Sequence, residues 1–582
     1  ATLVSGRELP MHLGLPTRSV HGLPVIEHAE FGRNVPDETV PDADKMELGK
    51  IYHMGREEKA DLILNRQAMA SHTFVTGSTG TGKSNAVYHL LDEITKDGRT
   101  SFLVVEPAKG EYKNVFGSRA DVKVFGTNPR ETPLLRINPF AFPQDIHILE
   151  HIDRLVEIFN ACWPMYAAMP AVLKDAIERS YQKAGWNLRN SESEKGVFPT
   201  FFDLLDILPG VIEESHYSKD TQSDYVGALC TRVKSLTNGI YGSVLCAEDA
   251  LSDAEMFDQN VIVDLSRVGS METKSLLMGI LVMKLQEYRM CSSGMNSRLR
   301  HVTVLEEAHN LLRKTSAEQS QEGANLQGKS VEMLANAIAE MRTYGEGFII
   351  ADQAPGLLDM SVIRNTNTKI ILRLPDEEDR KLVGKSVALK EAQIDELSKL
   401  PLGVAAVYQN EWPEAVLCKI EAYPMPENAV YHKPSKMPHE INAEFVFGQL
   451  AVGKELKPLS SSEMEQLKLW LKRHETVLKP EDSRYLERVF AGGELDVAKT
   501  RKAVFDFFGG IGTVVDYCAA AKKSLTPRKE FLEQLQGQYG LKAAAADWVL
   551  NSVISMGMSL NPDAKAVDNL RTNFEQQGGR VL

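Results

Sequence analysis

Gly77-Ser78-Thr79-Gly80-Thr81-Gly82-Lys83-Ser84 decides how the rest of this 582-residue chain is read. The eight residues fit G-x-x-x-x-G-K-[ST] in full. Their context fits as well: Thr73–Thr76 is apolar enough to lead in as a strand, and Lys83–Leu91 leads out with helical spacing. Glycines let successive backbone N–H groups turn inward around phosphate oxygens. The helix N-terminus adds partial positive charge. In that arrangement Lys83 reaches the β- and γ-phosphates and the Ser84 hydroxyl ligates Mg2+. ATP and Mg2+ are the expected cofactors, held by Gly77, Ser78, Thr79, Gly80, Thr81, Gly82, Lys83, Ser84 and Asn85.

Outward from this loop, residues 61–425 alternate apolar strands with helical patterns, which predicts a parallel α/β sheet. The strands fall at Thr73–Thr76, Ser101–Glu106, Val122–Phe125, Val261–Asp264, Val302–Glu306, Phe348–Ala351 and Lys369–Leu374, and the β-rich stretch Gly403–Glu421 closes the region. The segment 145–245 is too long for a simple crossover and reads as an inserted helical subdomain, with helices at His147–Asn160 and Ala171–Lys183. Residues 1–60 carry short strand-like stretches, Val25–Glu30 and Glu47–His53, expected to form a small β unit or part of a barrel. Residues 426–460 are Pro-rich and polar, as in a linker. A helical region follows over 461–582, where Ser462 and Glu465 make a capping box for a helix at Glu463–Thr476.

Hydrolysis needs a carboxylate near Mg2+ and a group that orients water. Val302-Thr303-Val304-Leu305-Glu306-Glu307 ends a strand in two acids. Glu306 is placed to hold the Mg2+ shell and Glu307 to polarise the attacking water. Val261-Ile262-Val263-Asp264 also ends in acid, but one carboxylate does not readily serve both roles, and Asp264 reads better as the cap of the next turn. Glu106, near Lys109 and Lys113, is open to two readings, a site residue or a loop acid. His309 reads as a packing or capping residue.

Composition narrows the class. Lys+Arg 66 against Asp+Glu 79 gives −13, which excludes a protein basic over its whole surface but leaves room for a local basic groove. The six cysteines form no CxxC pair, so neither a zinc ribbon nor a disulfide framework is indicated. No apolar run approaches the length of a membrane span, and no stretch reads as a signal peptide. A cytoplasmic protein without a membrane is expected.

Three further runs carry a resemblance. VTVLEEAHNLLR at Val302–Arg313, MRTYGEGFIIADQAP at Met341–Pro355 and RNTNTKIILRL at Arg364–Leu374 resemble the HerA family, RecA-like ring ATPases related to the FtsK translocases. The likeness spans roughly residues 45–425, and the N-terminal unit looks like part of that family's HAS barrel. It implies a RecA-like core in a homohexamer, with nucleotide at subunit interfaces. It also implies that Arg342 acts on the neighbour's nucleotide, that Gln353 is a sensor glutamine and that Arg373 faces a neighbouring nucleotide. Trans-acting arginines contribute about 10³–10⁵ in rate. The sequence departs from the pattern twice: Glu306 stands where most P-loop enzymes have Asp, and Ser71 stands where many relatives have Arg before His72, with Arg66 the nearest substitute.

The resemblance implies a motor on double-stranded DNA, working with an effector such as a nuclease or a sirtuin-like NADase in antiphage defence or DNA processing. Two other readings stay open: a ring scaffold that activates an effector without translocation, and a secretion or conjugation ATPase. The polar stretch Arg313–Lys329, with Arg313, Lys314 and Lys329, is the candidate nucleic-acid contact. Its acids Glu318 and Glu322 leave only a slight positive excess.

Overall fold

Eleven of the strands become one sheet, and the alternation of their side chains gives it two buried faces. The structure, a computed structural model, describes residues 18–22, 25–165, 168–193, 197–215, 217–247, 250–315, 324–425, 430–433, 480–490, 494–523, 526–539, 543–561 and 563–581. The strands are β1 (Lys45–His53), β2 (Arg56–Asn65), β3 (Thr73–Thr76), β4 (Ser101–Glu106), β5 (Val122–Gly126), the two-residue pair β6 (Trp186–Asn187) and β7 (Glu192–Ser193), β8 (Asn260–Asp264), β9 (His301–Glu306), β10 (Glu346–Asp352), β11 (Thr368–Ile371), β12 (Val404–Tyr408) and β13 (Val416–Ile420). The large sheet runs β2-β1-β13-β12-β11-β3-β10-β9-β4-β8-β5. From β11 to β5 all neighbours are parallel, and from β11 outward through β12, β13, β1 and β2 they are antiparallel.

Parallel strands are covered on both faces, so each reads as a continuous apolar run. Leu103, Val105, Val261, Val263, Phe348 and Ile350 point to one core, shared with the inserted helices. Phe102, Val104, Ile262, Val302, Val304 and Ile349 point to the other, shared with the helix Lys83–Thr95. The expected strands appear with ends moved by a residue or two, except that β11 stops at Ile371 rather than Leu374. There the backbone closes on the phosphate loop instead: Leu372 N–H donates to Thr76 O at 2.8 Å and Ser78 N–H to Arg373 O at 3.0 Å.

The inserted segment folds as helices Ile148–Cys162, Met169–Lys183, Phe201–Glu214, Lys219–Tyr225, Thr231–Thr237 and Gly239–Leu245. Thr200 and Asp203 close a capping box at the start of the third, and Leu204, Leu208 and Ile212 are its buried stripe.

The amino-terminal expectation needs correction. β1 is not part of a separate barrel. It pairs antiparallel with β13, Gly49 opposite Ile420 and Ile51 opposite Cys418, and so extends the main sheet. Gly49 makes that contact possible, because a Cβ there would lie 2.1 Å from Lys419 O. Val25–Glu30 forms no strand; Ile26, 64% exposed, has no face to bury.

Contacts divide the chain into two compact units, Ala1–Lys433 and Pro434–Leu582. In the second, helices Pro480–Phe490, Val497–Phe507, Gly510–Ala521, Pro527–Tyr539, Ala543–Leu560 and Ala564–Gln576 enclose their own core around Leu486, Phe505, Tyr517, Leu550 and Ile554. The linker over 426–460 lies largely outside the described residues, and the capping box at Ser462 wholly so. Among the described residues no single helix is long and apolar enough to cross a membrane. The bent pair Val497–Phe507 and Gly510–Ala521 passes only when taken together, and Val504, Phe507 and Tyr517 are already buried in this unit's core.

Candidate active site

The phosphate loop leaves β3 at a point where the topology changes. From β3 the chain crosses to β4, past the positions that β10 and β9 fill later. Crevices at the carboxyl ends of parallel strands open at such points. Register then lines acids along that edge: Asp352 pairs with Thr76, Ala351 with Glu306, and Glu106 with Asp264.

The loop's glycines have specific work. Gly80 and Gly82 have φ of 75° and 105°, values a side chain resists. A Cβ on Gly77 would lie 2.7 Å from both Leu372 Cβ and Thr81 Oγ1. Thr81 ties the turn by donating its hydroxyl to Ser78 O at 2.7 Å, and the helix Lys83–Thr95 starts behind it. Ser78, Thr79, Gly80, Lys83, Ser84 and Gln353 line an open cleft together with Lys109. Inward-turned N–H groups, a helix start and a lysine fit a triphosphate. The Ser84 hydroxyl and Glu306 carboxylate are hard oxygen donors of the kind Mg2+ takes.

Lys83, 7% exposed, sits between the two acids. Its Nζ donates to Glu306 Oε2 at 2.8 Å and lies 3.5 Å from Glu307 Oε1. Burial opposes its charge, but Glu306 and Glu307 outweigh burial and hold its pKa above the usual lysine value. Tyr112 donates its phenol to Glu306 Oε1 at 2.5 Å. Gln353, at the end of β10, links the loop to Glu307: its Oε1 accepts from Thr79 Oγ1 at 2.6 Å and its Nε2 donates to Glu307 Oε1. Glu307 occupies left-handed backbone, φ 44° and ψ 52°, a conformation costing about 1–2 kcal/mol in a non-glycine residue. It turns the chain sharply out of β9 so that adjacent acids serve one cleft. Strain of this kind gathers at functional sites.

Beside Glu307 lie Asp352, which the sequence did not single out, and His309, which it reads as a packing or capping residue. Asp352 Oδ2 accepts from His309 N–H at 2.8 Å and from His309 Nδ1 at 2.9 Å. His309 Nδ1 is also 3.6 Å from Glu307 Oε2. The bond to Asp352 raises the imidazole pKa above its ordinary value. The acid next to Gln353 at a strand end was the available signal. Nothing in the sequence joined Tyr112 to Glu306.

Other candidates sort themselves by distance and burial. Glu106 is buried and accepts N–H bonds from Glu111 at 2.7 Å and Tyr112 at 3.2 Å. Burial pushes its pKa up to about 8 against those two bonds, with Asp264 and Glu306 adding repulsion. It is a buried acid behind the site, not a loop acid. Asp264 accepts from Ser266 N–H at 2.9 Å and from Lys113 Nζ at 2.6 Å, so it caps its turn. Asn85 lines the cleft, but both ends of its amide are engaged elsewhere: Nδ2 donates to Glu421 O and Oδ1 accepts from Tyr423 N–H, each at 2.9 Å. Its side-chain amide clamps the segment after β13.

The arginines fall differently. Arg66 is buried and committed to Asp97 and Thr100, so it does not substitute for the missing arginine. Arg373 offers its carbonyl to Ser78, with its side chain half-buried. Arg342 is exposed in the turn Met341–Tyr344, ahead of β10. Gln353 is at the far end of that strand, about 20 Å away at 3.3 Å per residue. The structure does not bring Arg342 to its own chain's loop. Arg313, Lys314 and Lys329 are exposed on either side of residues 316–323, which lie outside the described residues.

The geometry meets the comparisons here. A model of the family "Helicase HerA, central domain" matches residues 46–285. Over those residues the chain is similar to the HerA family. The chain is 24% identical over 436 residues to a probable helicase of Methanocaldococcus jannaschii, covering 68% of this chain and 76% of that protein. It is 25% identical over 397 residues to the DNA double-strand break repair helicase HerA of Sulfolobus acidocaldarius, covering 66% and 71%. In fold it is similar to VirB4 of Thermoanaerobacter pseudethanolicus, with a TM-score of 0.51 at 19% identity over 66% of this chain and 98% of that one. The first unit has a RecA-like α/β fold with a phosphate loop.

Proposed function

We propose that this ATPase is a DNA translocase that works as a ring of six copies, each copy completing its neighbour's site. One observation carries the reading. Lys83, Glu306, Glu307 and Gln353 meet in one chain, while Arg342 stands exposed ahead of the amino-terminal end of β10, the opposite end of the strand from Gln353. A site so built holds and polarises the nucleotide but gains its arginine from a second copy. The relatives named as helicases support DNA as the track.

The residues divide the work. Backbone N–H groups of Gly77–Ser84 and the Lys83 ammonium hold the triphosphate. Mg2+ held by Ser84 and Glu306 would neutralise charge on the phosphate oxygens. Glu307 accepts a proton from the attacking water, and Gln353 keeps its carboxylate oriented while sensing Thr79 in the phosphate loop. Arg342 of the next copy stabilises charge on the transferred group. Exposed Arg313, Lys314 and Lys329 follow β9 and offer phosphate contacts to DNA.

ATP hydrolysis measured with and without duplex DNA tests this. DNA is expected to raise the rate, Lys83→Ala to abolish hydrolysis, and joint replacement of Arg313, Lys314 and Lys329 by Ala to remove the DNA response. Mixing Arg342→Ala with Lys83→Ala subunits should restore part of the activity, because mixed interfaces pair an intact loop with an intact arginine. A monomer by mass photometry with nucleotide, or no rescue on mixing, overturns the shared site. A rate that answers to a co-purified protein and not to DNA transfers the reading to a scaffold that activates an effector.

A further inference from the structure

Glu306 is one methylene longer than the aspartate that most P-loop enzymes place there. The extra rotatable bond lets the carboxylate move by more than an ångström unless something fixes it. Mg2+ tolerates little of this, since it demands near-octahedral geometry at about 2.0–2.1 Å.

The described structure gives Glu306 two side-chain contacts, one on each oxygen. Lys83 takes Oε2 and Tyr112 takes Oε1. They are not equivalent. Lys83 also serves the triphosphate, so its hold on Glu306 is shared. Tyr112 has no such second task. Its ring is 1% exposed and meets Tyr88 edge-on, with centroids 4.9 Å apart. Tyr88 belongs to the helix that begins at Lys83. The Tyr112 backbone N–H is anchored on Glu106 Oε2 at 3.2 Å. A phenol pinned at both ends therefore aims one O–H at one carboxylate oxygen.

We propose that Tyr112 is the positioning residue for the metal-site glutamate, fixing Oε1 so that Oε2 keeps the orientation Mg2+ requires. This rests on the hydrolytic reading of Lys83 and Glu306 given above. It also accounts for how a glutamate serves where an aspartate is usual: the longer arm is braced by a hydroxyl from the start of the short helix Tyr112–Phe116 after β4.

Tyr112→Phe removes one oxygen and keeps the ring. The first readout is binding of a fluorescent ATP analogue to the full-length protein, with Mg2+ and in EDTA. Orienting partners of metal ligands typically contribute about 10–100-fold in metal affinity or activity. The tightening that Mg2+ gives the wild type should shrink about ten-fold in Tyr112→Phe, with affinity in EDTA unchanged. The Mg2+ concentration for half-maximal hydrolysis should rise by a similar factor, and Mn2+ should recover part of the loss. Affinity that falls equally with and without Mg2+, or no change in either, overturns the proposal.

A second variant guards against a folding defect. Glu306→Asp withdraws the carboxylate from the phenol, so it should show the same Mg2+ loss, and adding Tyr112→Phe should cost little more. Full additivity of the two changes overturns the proposal. Lys83→Ala is assayed alongside. If it still hydrolyses ATP, the hydrolytic reading itself fails; if it does not and Tyr112→Phe is silent, only the positioning role fails.

Discussion

β9 and β10 carry a buried charged cluster at each end, and the two clusters are built differently. At the amino-terminal end Glu346 accepts from His301 Nδ1 at 2.7 Å, Thr303 Oγ1 at 2.8 Å and Arg289 Nε at 2.9 Å. Glu346, His301 and Arg289 are all 0% exposed, and Arg289 spends its other nitrogens on Asp258 and Phe257 O. Burial alone would raise the Glu346 carboxyl, but His301 and Arg289 hold it below the usual range. At the carboxyl end Lys83, Glu306 and Glu307 are nearly as buried, but Lys83 lines a cleft, and Glu307 is held in left-handed backbone. The closed cluster sets three donors on one carboxylate, with only His301 Nε2 of its ring left unbonded. The open one gathers acids around one lysine and keeps strain. Burial of charge therefore does not mark the active site; an opening, strain and uneven charge do.

The comparison breaks most visibly at Glu307. Glu307→Gln should lower hydrolysis by about 10²–10⁴-fold, the usual contribution of a general base, while ATP binding and melting temperature stay near wild type. Glu346→Ala should do the reverse. Removing one partner of a buried ion pair costs about 3–5 kcal/mol, so melting should fall clearly, with turnover per folded molecule little changed. If Glu346→Ala instead removed turnover without loss of stability, the two ends would not be distinct.

His72 sharpens the contrast through pH. It lies at the start of β3, with Nδ1 accepting from Phe348 N–H at 3.0 Å, and burial lowers its pKa to about 4. The unfolded chain takes up a proton near pH 6.5, whereas the folded one resists until about 4. The contribution is thus present above pH 6.5 and is lost as pH falls toward 4, by about 3 kcal/mol in all. The gap in stability between wild type and His72→Gln, measured by urea unfolding, should narrow over that window. A constant gap would remove His72 from the closed end.

The smallest expected effect is at the open end. Thr79→Val cuts the exposed bond to Gln353. A net hydrogen bond contributes about 0.5–1.5 kcal/mol, so turnover should fall by a few-fold, and ATP affinity less. An unchanged rate would show that Gln353 does not couple the loop to Glu307.

Much of this was legible in the residues. The phosphate loop and its flanks were readable because glycine spacing, a strand and a helix start are local. Glu306 and Glu307 were readable because two acids closing an apolar strand have few structural uses. The amino-terminal unit was misread because β1 has ordinary strand composition, and nothing in residues 45–53 shows that its partner lies at 416–420. Glu106 stayed ambiguous for the same reason: its burial depends on residues 111, 264 and 306 folding around it.

The sequence by itself determined that Gly77–Ser84 form a phosphate loop between a strand and a helix and that an acid pair follows on a later strand, because those signals depend on neighbours along the chain. Only the tertiary structure decided which acids meet which cations. Strand order set β10 between β3 and β9, and so put Gln353 between Thr79 and Glu307, Tyr112 against Glu306, and Arg342 at the strand end away from its own loop. Strand order follows from how two apolar faces are covered together across the sheet, which no local stretch encodes.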